Sequence, residues 1–421
     1  MDVWVAGGIF LVTYGLIASE RVDRTIAALL GGLAMITFGV IDQDVAFAAI
    51  DFNVIFLLAG MMVLAGILAQ TGFFEWLAIR SVRASRGDPL RLLIILCVVT
   101  AIISAFLDNV TTVVLMTPVT LSVARSLGIS PVPYLVSQIL ASNIGGTATL
   151  IGDPPNILIG SAAELDFAAF ITNLGPVVLL IFAAFLVTMV VAFRGTLQVP
   201  SERREAALEA TEPATIHDRR LLTITLVVLA VTLVAFVAHD ALGLQVATIA
   251  LLSATVLMLV ARIDPHEALR EVEWSTLFFF VGLFMLVEGI VRVGILTGVS
   301  NAIADLTGGH DGATAMALLW FSAGASAIVD NIPYTATAIP VVHHLVASGV
   351  AAEPLWWSLA LGACLGGNLT IIGASANVVV ANMALRAGHP IRFAQFIRYG
   401  GIVVVESLVI SSVYVWVRYV V

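Results

Sequence analysis

Two dipeptides, Asp108-Asn109 and Asp330-Asn331, place a carboxylate beside an amide in the middle of long apolar stretches, and a third acid, Asp153, stands in Gly152-Asp153-Pro154-Pro155-Asn156. A carboxyl group held among apolar side chains with no cation beside it takes up a proton or binds a metal cation. The chemistry on offer is therefore coupling to H⁺ or Na⁺. Asp108 and Asp330 are the preferred carriers, because the amide after each can hold a polar ligand, and Asp153 is the third candidate. Glu288 and Glu406 also fall in apolar runs and read as interfacial. None of the five has an evident basic partner at its own depth.

Neutral hydrogen-bonding groups surround these acids in four clusters. The first is Asn109, Thr111 and Thr112, and the second runs from Asn143 through Gly145, Gly146, Thr147 and Thr149 to Asn156. The third is Asn331 with Thr335, and the fourth runs from Gly367, Asn368 and Thr370 to Ser375 and Asn377. Each cluster interrupts a helix and starts another, with Asn, Asp or Ser as N-cap and Pro just inside at Pro154 and Pro333. Half-helix N-termini expose free N–H groups and partial positive charge to a solute, and the opposing carbonyl ends suit a cation. The alternative role for the glycines is close packing. For the threonines it is a bond back to the helix's own carbonyls.

Other chemistries are excluded. Cys97 and Cys364 form no CxxC or Cys/His cluster, and His266-Glu267 is followed by Ala268, Leu269 and Arg270 rather than completing HExxH. All 19 basic residues are Arg, so no Walker A lysine exists. The stretch before Asp153 lacks the first glycine of a GxGD protease pair. An enzyme, a metal site, a cofactor or a nucleic-acid partner is not expected.

The elements that must position these residues are membrane helices. With 60% hydrophobic and 11% charged residues and a mean hydropathy of +1.07, the chain's solvent is lipid. An offset of 222 residues matches Ile41-Asp42 to Ile263-Asp264, Gly60 to Gly282, Gly72 to Gly294, Asp108-Asn109 to Asp330-Asn331 and Pro118 to Pro340. One deletion later, Thr149, Ile151-Gly152 and Asn156 match Thr370, Ile372-Gly373 and Asn377. Asp153 has Ala374 as its mate and so breaks the symmetry.

Residues 1–193 and 221–421 are the two repeats, and the polar stretch 194–220 is a cytoplasmic linker. The first repeat has scaffold helices within 3–70, a hairpin over 91–126, a broken helix over 133–163 and a last span at 168–193. The second has spans at 221–238, 243–261 and 275–291, a hairpin over 313–350, a broken helix over 355–385 and a span at 399–417. The arms of the hairpins read as too short to cross, hence re-entrant. About five crossings per repeat, an odd number, make the second copy upside down, whereas hairpins that crossed fully would give six crossings and parallel repeats, which the arginine distribution alone does not exclude. The fold class is an all-α integral membrane protein of two inverted repeats, each with one re-entrant helical hairpin and one broken helix. With the Arg80–Arg91 loop in the cytoplasm, 17 of the 19 arginines fall on that side and both termini lie outside.

These residues resemble the ion transporter superfamily of ArsB-type arsenite permeases, NhaD-type sodium/proton antiporters, the melanosomal P protein and the divalent anion/sodium symporters. The likeness spans nearly the whole chain, and its most specific part is Ser142 to Thr149 with Ile151 to Asn156. It implies a homodimer in the cell inner membrane, with a scaffold part and a transport part made of hairpins and broken helices. In the ArsB branch it implies proton-driven export of arsenite or antimonite, with a separate ATPase subunit as an optional partner. The Asp-Asn tips depart from the Ser-Asn-Thr tips of the dicarboxylate branch. Na⁺/H⁺ antiport and anion transport are the other readings. Two cysteines 267 residues apart cannot make a three-thiolate site, so a metalloid would bind as its neutral hydroxide through oxygens and amides.

Overall fold

The computed structural model describes residues 2–19, 21–197 and 216–421, so the middle of the linker lies outside the described residues. Helix is the only regular structure among them, and eighteen helices have ten residues or more. In the first half these are α1 (Asp2–Ser19), α2 (Arg24–Thr37), α3 (Phe52–Gln70), α4 (Phe73–Ser85), α5 (Pro89–Phe106), α6 (Asn109–Leu127), α7 (Val132–Gly146), α8 (Pro154–Ala163) and α9 (Phe167–Phe193). The second half repeats the order as α10 (Arg219–Val237), α11 (Val246–Ala261), α12 (Trp274–Arg292), α13 (Ile295–Thr307), α14 (Asp311–Ser326), α15 (Asn331–Ala347), α16 (Ala352–Gly366), α17 (Ser375–Arg386) and α18 (Phe393–Val415).

Local chemistry sets many of these starts. Asp51 caps α3 by accepting from the Asn53 and Val54 amides, and Asp88 caps α5 in the same way with Pro89 at the first helical position. Among the described residues, seven helices are long and apolar enough to cross a membrane: α3, α5, α6, α9, α10, α12 and α18 with its last turn. Three shorter apolar ones are α1, α2 and α11.

One set of helices forms a frame. There α2 lies along α12 and α3 along α11, so each half contributes to both pairs. Glycine lets the backbones approach. A Cβ on Gly60 would sit 2.7 Å from the Ala250 carbonyl carbon, and one on Gly282 would strike the backbone of Ala28, the repeat mate of Ala250.

The arms α5 and α6 have 18 and 19 residues, long and apolar enough to cross a membrane where arms too short to cross were expected, and they pack antiparallel to each other. Their hydrogen bonds to α7 establish this. Along α7, Gln138 bonds to Thr100 of α5 and Thr120 of α6, while Tyr134 donates to the Pro89 carbonyl at the start of α5. Further along, Ser142 bonds to Ser104 and Asn143 to Asn109. Thus α5 runs parallel to α7, α6 runs antiparallel, and the turn at Leu107-Asp108 lies beside the end of α7. In the second half, the Ala351 amide after α15 donates to Asp311 at the start of α14 (2.8 Å), which closes the second hairpin.

Three segments differ from expectation. Residues 73–85 and 295–307, read as connections, are the helices α4 and α13, and α18 starts at Phe393 rather than near 399. α4 is amphipathic, with Phe74, Ala78, Ser81, Val82 and Ser85 buried against α5 and α6 and its arginines outward. A search for apolar runs passes over such a helix.

Candidate functional site

The two hairpin turns and the two helix interruptions meet. α7 stops at Gly146 and α8 resumes at Pro154, while α16 stops at Gly366 and α17 resumes at Ser375. Across this junction the Asn143 amide donates to Asn368 Oδ1 and Asn377 Oδ1, both at 2.9 Å, and accepts from Asn109 Nδ2 at 3.1 Å. Asn377 returns its own amide to the Gly367 and Thr370 carbonyls (2.8 Å each), and Asn156 does the same to Thr147 (3.1 Å) and Thr149 (2.8 Å). Four buried amides from both halves thus form one network, and two partly similar clamps hold the broken segments. Asn109 Oδ1 and Thr112 Oγ1, in the first turn of α6, are buried with no hydrogen-bond partner.

The three acids differ sharply. Asp108 caps α6 through the Thr111 amide (2.9 Å). Asp153 occupies the N-cap position of α8, is wholly buried, and makes no side-chain cap bond. Its carboxylate accepts instead from Asn331 Nδ2 of the opposite half, at 3.1 and 3.4 Å.

Asp330 caps the Ile332 amide with Oδ1 (3.0 Å), and its Oδ2 accepts from Ser375 Oγ at 2.6 Å. Arg24 Nη1 lies 3.6 Å from Oδ2 and also donates to Ser375 Oγ. Asp330 therefore has the basic partner that the sequence did not reveal. Arg24 is the first residue of α2, fixed there by the Asp23 cap on Thr25, and its guanidinium lies 5.4 Å over the Phe279 ring. Arg24, Asp330, Ser375 and Phe279 line a cavity of about 310 Å³. Glu288 is also paired, with Arg292 at 2.8 Å, and Glu406 accepts from Thr188 at 2.6 Å.

The glycines seat backbones. A Cβ on Gly145 would strike Ala101 of α5, Gly146 faces Gly152, and Gly367 faces Gly373. Thr147 and Thr335 bond back to the carbonyls of Asn143 and Asn331. Thr149 donates to the Ala105 carbonyl and Thr370 to that of Ala327, its repeat mate. Thr111 joins the turn that Asp108 caps. Sequence reasoning missed Arg24, Gln138, Ser104 and Ser326. Ser104 donates to the Ser142 carbonyl (2.8 Å) and Ser326 to that of Ala363 (2.6 Å), and the shared offset of 222 was the signal that could have found that pair.

Asn143 ties the network together, so Asn143→Ala leaves Asn368 Oδ1 and Asn377 Oδ1 without their amide donor. At roughly 1–3 kcal/mol for each buried group left unpaired, the variant is expected to melt several degrees lower in detergent and to lose transport. An unchanged melting curve would show that the network adds nothing to stability.

Two repeats whose hairpin turns and helix interruptions are hydrogen-bonded together among apolar helices are the architecture of a transporter, and residues 14–362 match the citrate transporter family, CitMHS. The chain belongs to this family. CitMHS lies within the ion transporter superfamily that the motifs resembled, and its members are transporters rather than enzymes. An uncharacterized transporter of Mycobacterium tuberculosis is 45% identical over 99% of this chain and 98% of its own length. The P protein of Homo sapiens is 34% identical over 100% of this chain but only 60% of its own. Among solved structures, the YdaH transporter of Alcanivorax borkumensis shares the fold with a TM-score of 0.62 at 16% identity, covering 99% of this chain and 98% of its own. MtrF of Neisseria gonorrhoeae, described as an antimetabolite efflux pump, gives 0.60 at 13% identity, over 92% and 85%. A CitMHS transporter is thus a multi-pass membrane protein that moves a small solute.

Proposed function

We propose that this transporter is a proton-coupled antiporter that exports a small neutral hydroxide, with arsenite or antimonite as the solute. The observation that carries the reading is Asp153, a carboxyl wholly buried with an amide as its hydrogen-bonding partner. Such a group can exchange a proton for a ligand without breaking an ion pair. Around it the site offers amides, hydroxyls and the starts of α6, α8, α15 and α17, which suit a solute rich in O–H groups.

Citrate fits less well. It brings three carboxylates to a site with three acids of its own, and the guanidinium of Arg24 is already shared by Asp330 and Ser375. The unpartnered Asn109 Oδ1 and Thr112 Oγ1 favour a second reading, Na⁺/H⁺ antiport, because oxygens suit that cation.

In this reading the repeats are inverted in the cell inner membrane with both termini outside. The frame α1–α3 and α10–α12 joins two copies in a homodimer, and α5–α9 with α14–α18 moves against it. Proteoliposomes under an imposed pH gradient test the assignment. Arsenite flux that follows the pH gradient, is indifferent to Na⁺ and is not competed by citrate is the expected result. Proton movement that requires Na⁺ and ignores arsenite would replace the reading with Na⁺/H⁺ antiport.

A further inference from the structure

A second cavity, of about 710 Å³, opens between the frame and the other body, and it carries a cluster that transport does not use. Asp166 precedes α9, and His239 and Asp240 follow α10 in a short turn. One ligand atom from each lies within 4.8 Å of the other two. Asp166 caps α9 through Oδ1 on the Ala169 amide, which leaves lone pairs on the carboxylate. His239 Nδ1 lies 3.4 Å from Asp240 Oδ1, and its Nε2 is buried with no hydrogen-bond partner. Because α9 runs toward residue 193 and α10 away from residue 219, the cluster sits at the ends of both helices remote from the linker.

The cavity lined by Arg24 provides an internal comparison. At the offset of 222, Ile17, Val22, Asp23 and Phe279 of that cavity correspond to His239, Leu244, Gln245 and Leu57 of this one, and Ala18 corresponds to Asp240. The same wall is thus built elsewhere in this chain with Ile-Ala where His-Asp stands here. Packing does not require the polar pair, and an imidazole with two carboxylates is a donor set for a metal.

We propose that Asp166, His239 and Asp240 bind a divalent first-row cation of the Zn²⁺ class at the membrane face opposite the linker, and that the bound ion arrests exchange. Three nitrogen and oxygen donors with a fourth position left to water are a common Zn²⁺ environment, and the imidazole favours Zn²⁺ over Mg²⁺ or Ca²⁺. Arrest follows from placement and rests on the proposed motion. Asp166 leads into α9 of the moving body, whereas His239 and Asp240 belong to the frame, so the ion fastens one to the other.

Titration of the purified full-length protein with zinc chloride, read by calorimetry, tests the site without any transport assay. The expected result is one Zn²⁺ per chain, no comparable heat with Mg²⁺ or Ca²⁺, and affinity lowered about 10-fold or more in His239→Ala. Asp240→Asn, at a side chain 80% exposed, repeats the test where folding is not at stake. In proteoliposomes, Zn²⁺ is expected to stop exchange by the wild type and to leave His239→Ala at its metal-free rate. Equal Zn²⁺ affinity in the wild type and both variants, or full exchange with the site saturated, overturns the proposal. A failure of the antiport reading would silence the proteoliposomes and leave the calorimetry intact.

Discussion

Asp153→Asn is expected to remove the pH dependence of exchange and to slow it by about 100-fold, on the order of 2.8 kcal/mol at 1.4 kcal/mol per tenfold. The substitution keeps the shape of the side chain and an oxygen that can accept from Asn331. It sacrifices no helix cap, because the carboxylate makes none on α8. What it removes is the capacity to bind and release a proton in a wholly buried acid whose hydrogen bond reaches across the two halves. Exchange measured against pH in proteoliposomes, beside a melting curve, separates the possibilities. A wild-type pH profile in this variant would move the coupling role to Asp108, whose carboxylate caps α6 and pairs with no arginine among the described residues.

The second large effect concerns Arg24 and Asp330. Arg24→Gln is expected to slow exchange at least tenfold, and Asp330→Asn added to it is expected to restore part of the loss. Asp330 is only 13% exposed and Arg24 29%, so removing one partner strands a charge that water solvates incompletely. Full burial would cost about 3–5 kcal/mol, and this exposure brings the expected effect on stability to roughly 1–3 kcal/mol. Arg24 belongs to the frame and Asp330 to a hairpin tip, so the pair must part if one body slides past the other. The two single variants and the double variant form a cycle. Strict additivity of the two effects would show that the ion pair plays no part in the rate.

Much of this was legible because lipid imposes simple rules. Apolar stretches, and the polar interruptions within them, fall where helices and helix ends occur, since a backbone among apolar side chains must pair its own polar groups. Asp108-Asn109 and Asp330-Asn331 were visible as turns for the same reason. The contacts between distant segments were not visible. Arg24 stands 306 residues from Asp330, and its position beside the loop before α2 gave no sign that this end of α2 abuts a hairpin. Asp153 read both as a coupling candidate and as the cap before Pro154-Pro155, and only the course of the interrupted segment reveals that its carboxylate turns to Asn331. α4 and α13 escaped because thirteen-residue amphipathic helices mix charge with apolar residues and resemble connections.

Each half leaves its own helices uncovered: α2 rests on α12, α3 on α11, and Asn143 finds its acceptors in Asn368 and Asn377. Neither half alone holds the complete junction. A precursor gene encoding a single unit would therefore have needed a second copy of its product before it could hold any solute. Separately expressed halves of the present chain should regain activity only when made in the same cell.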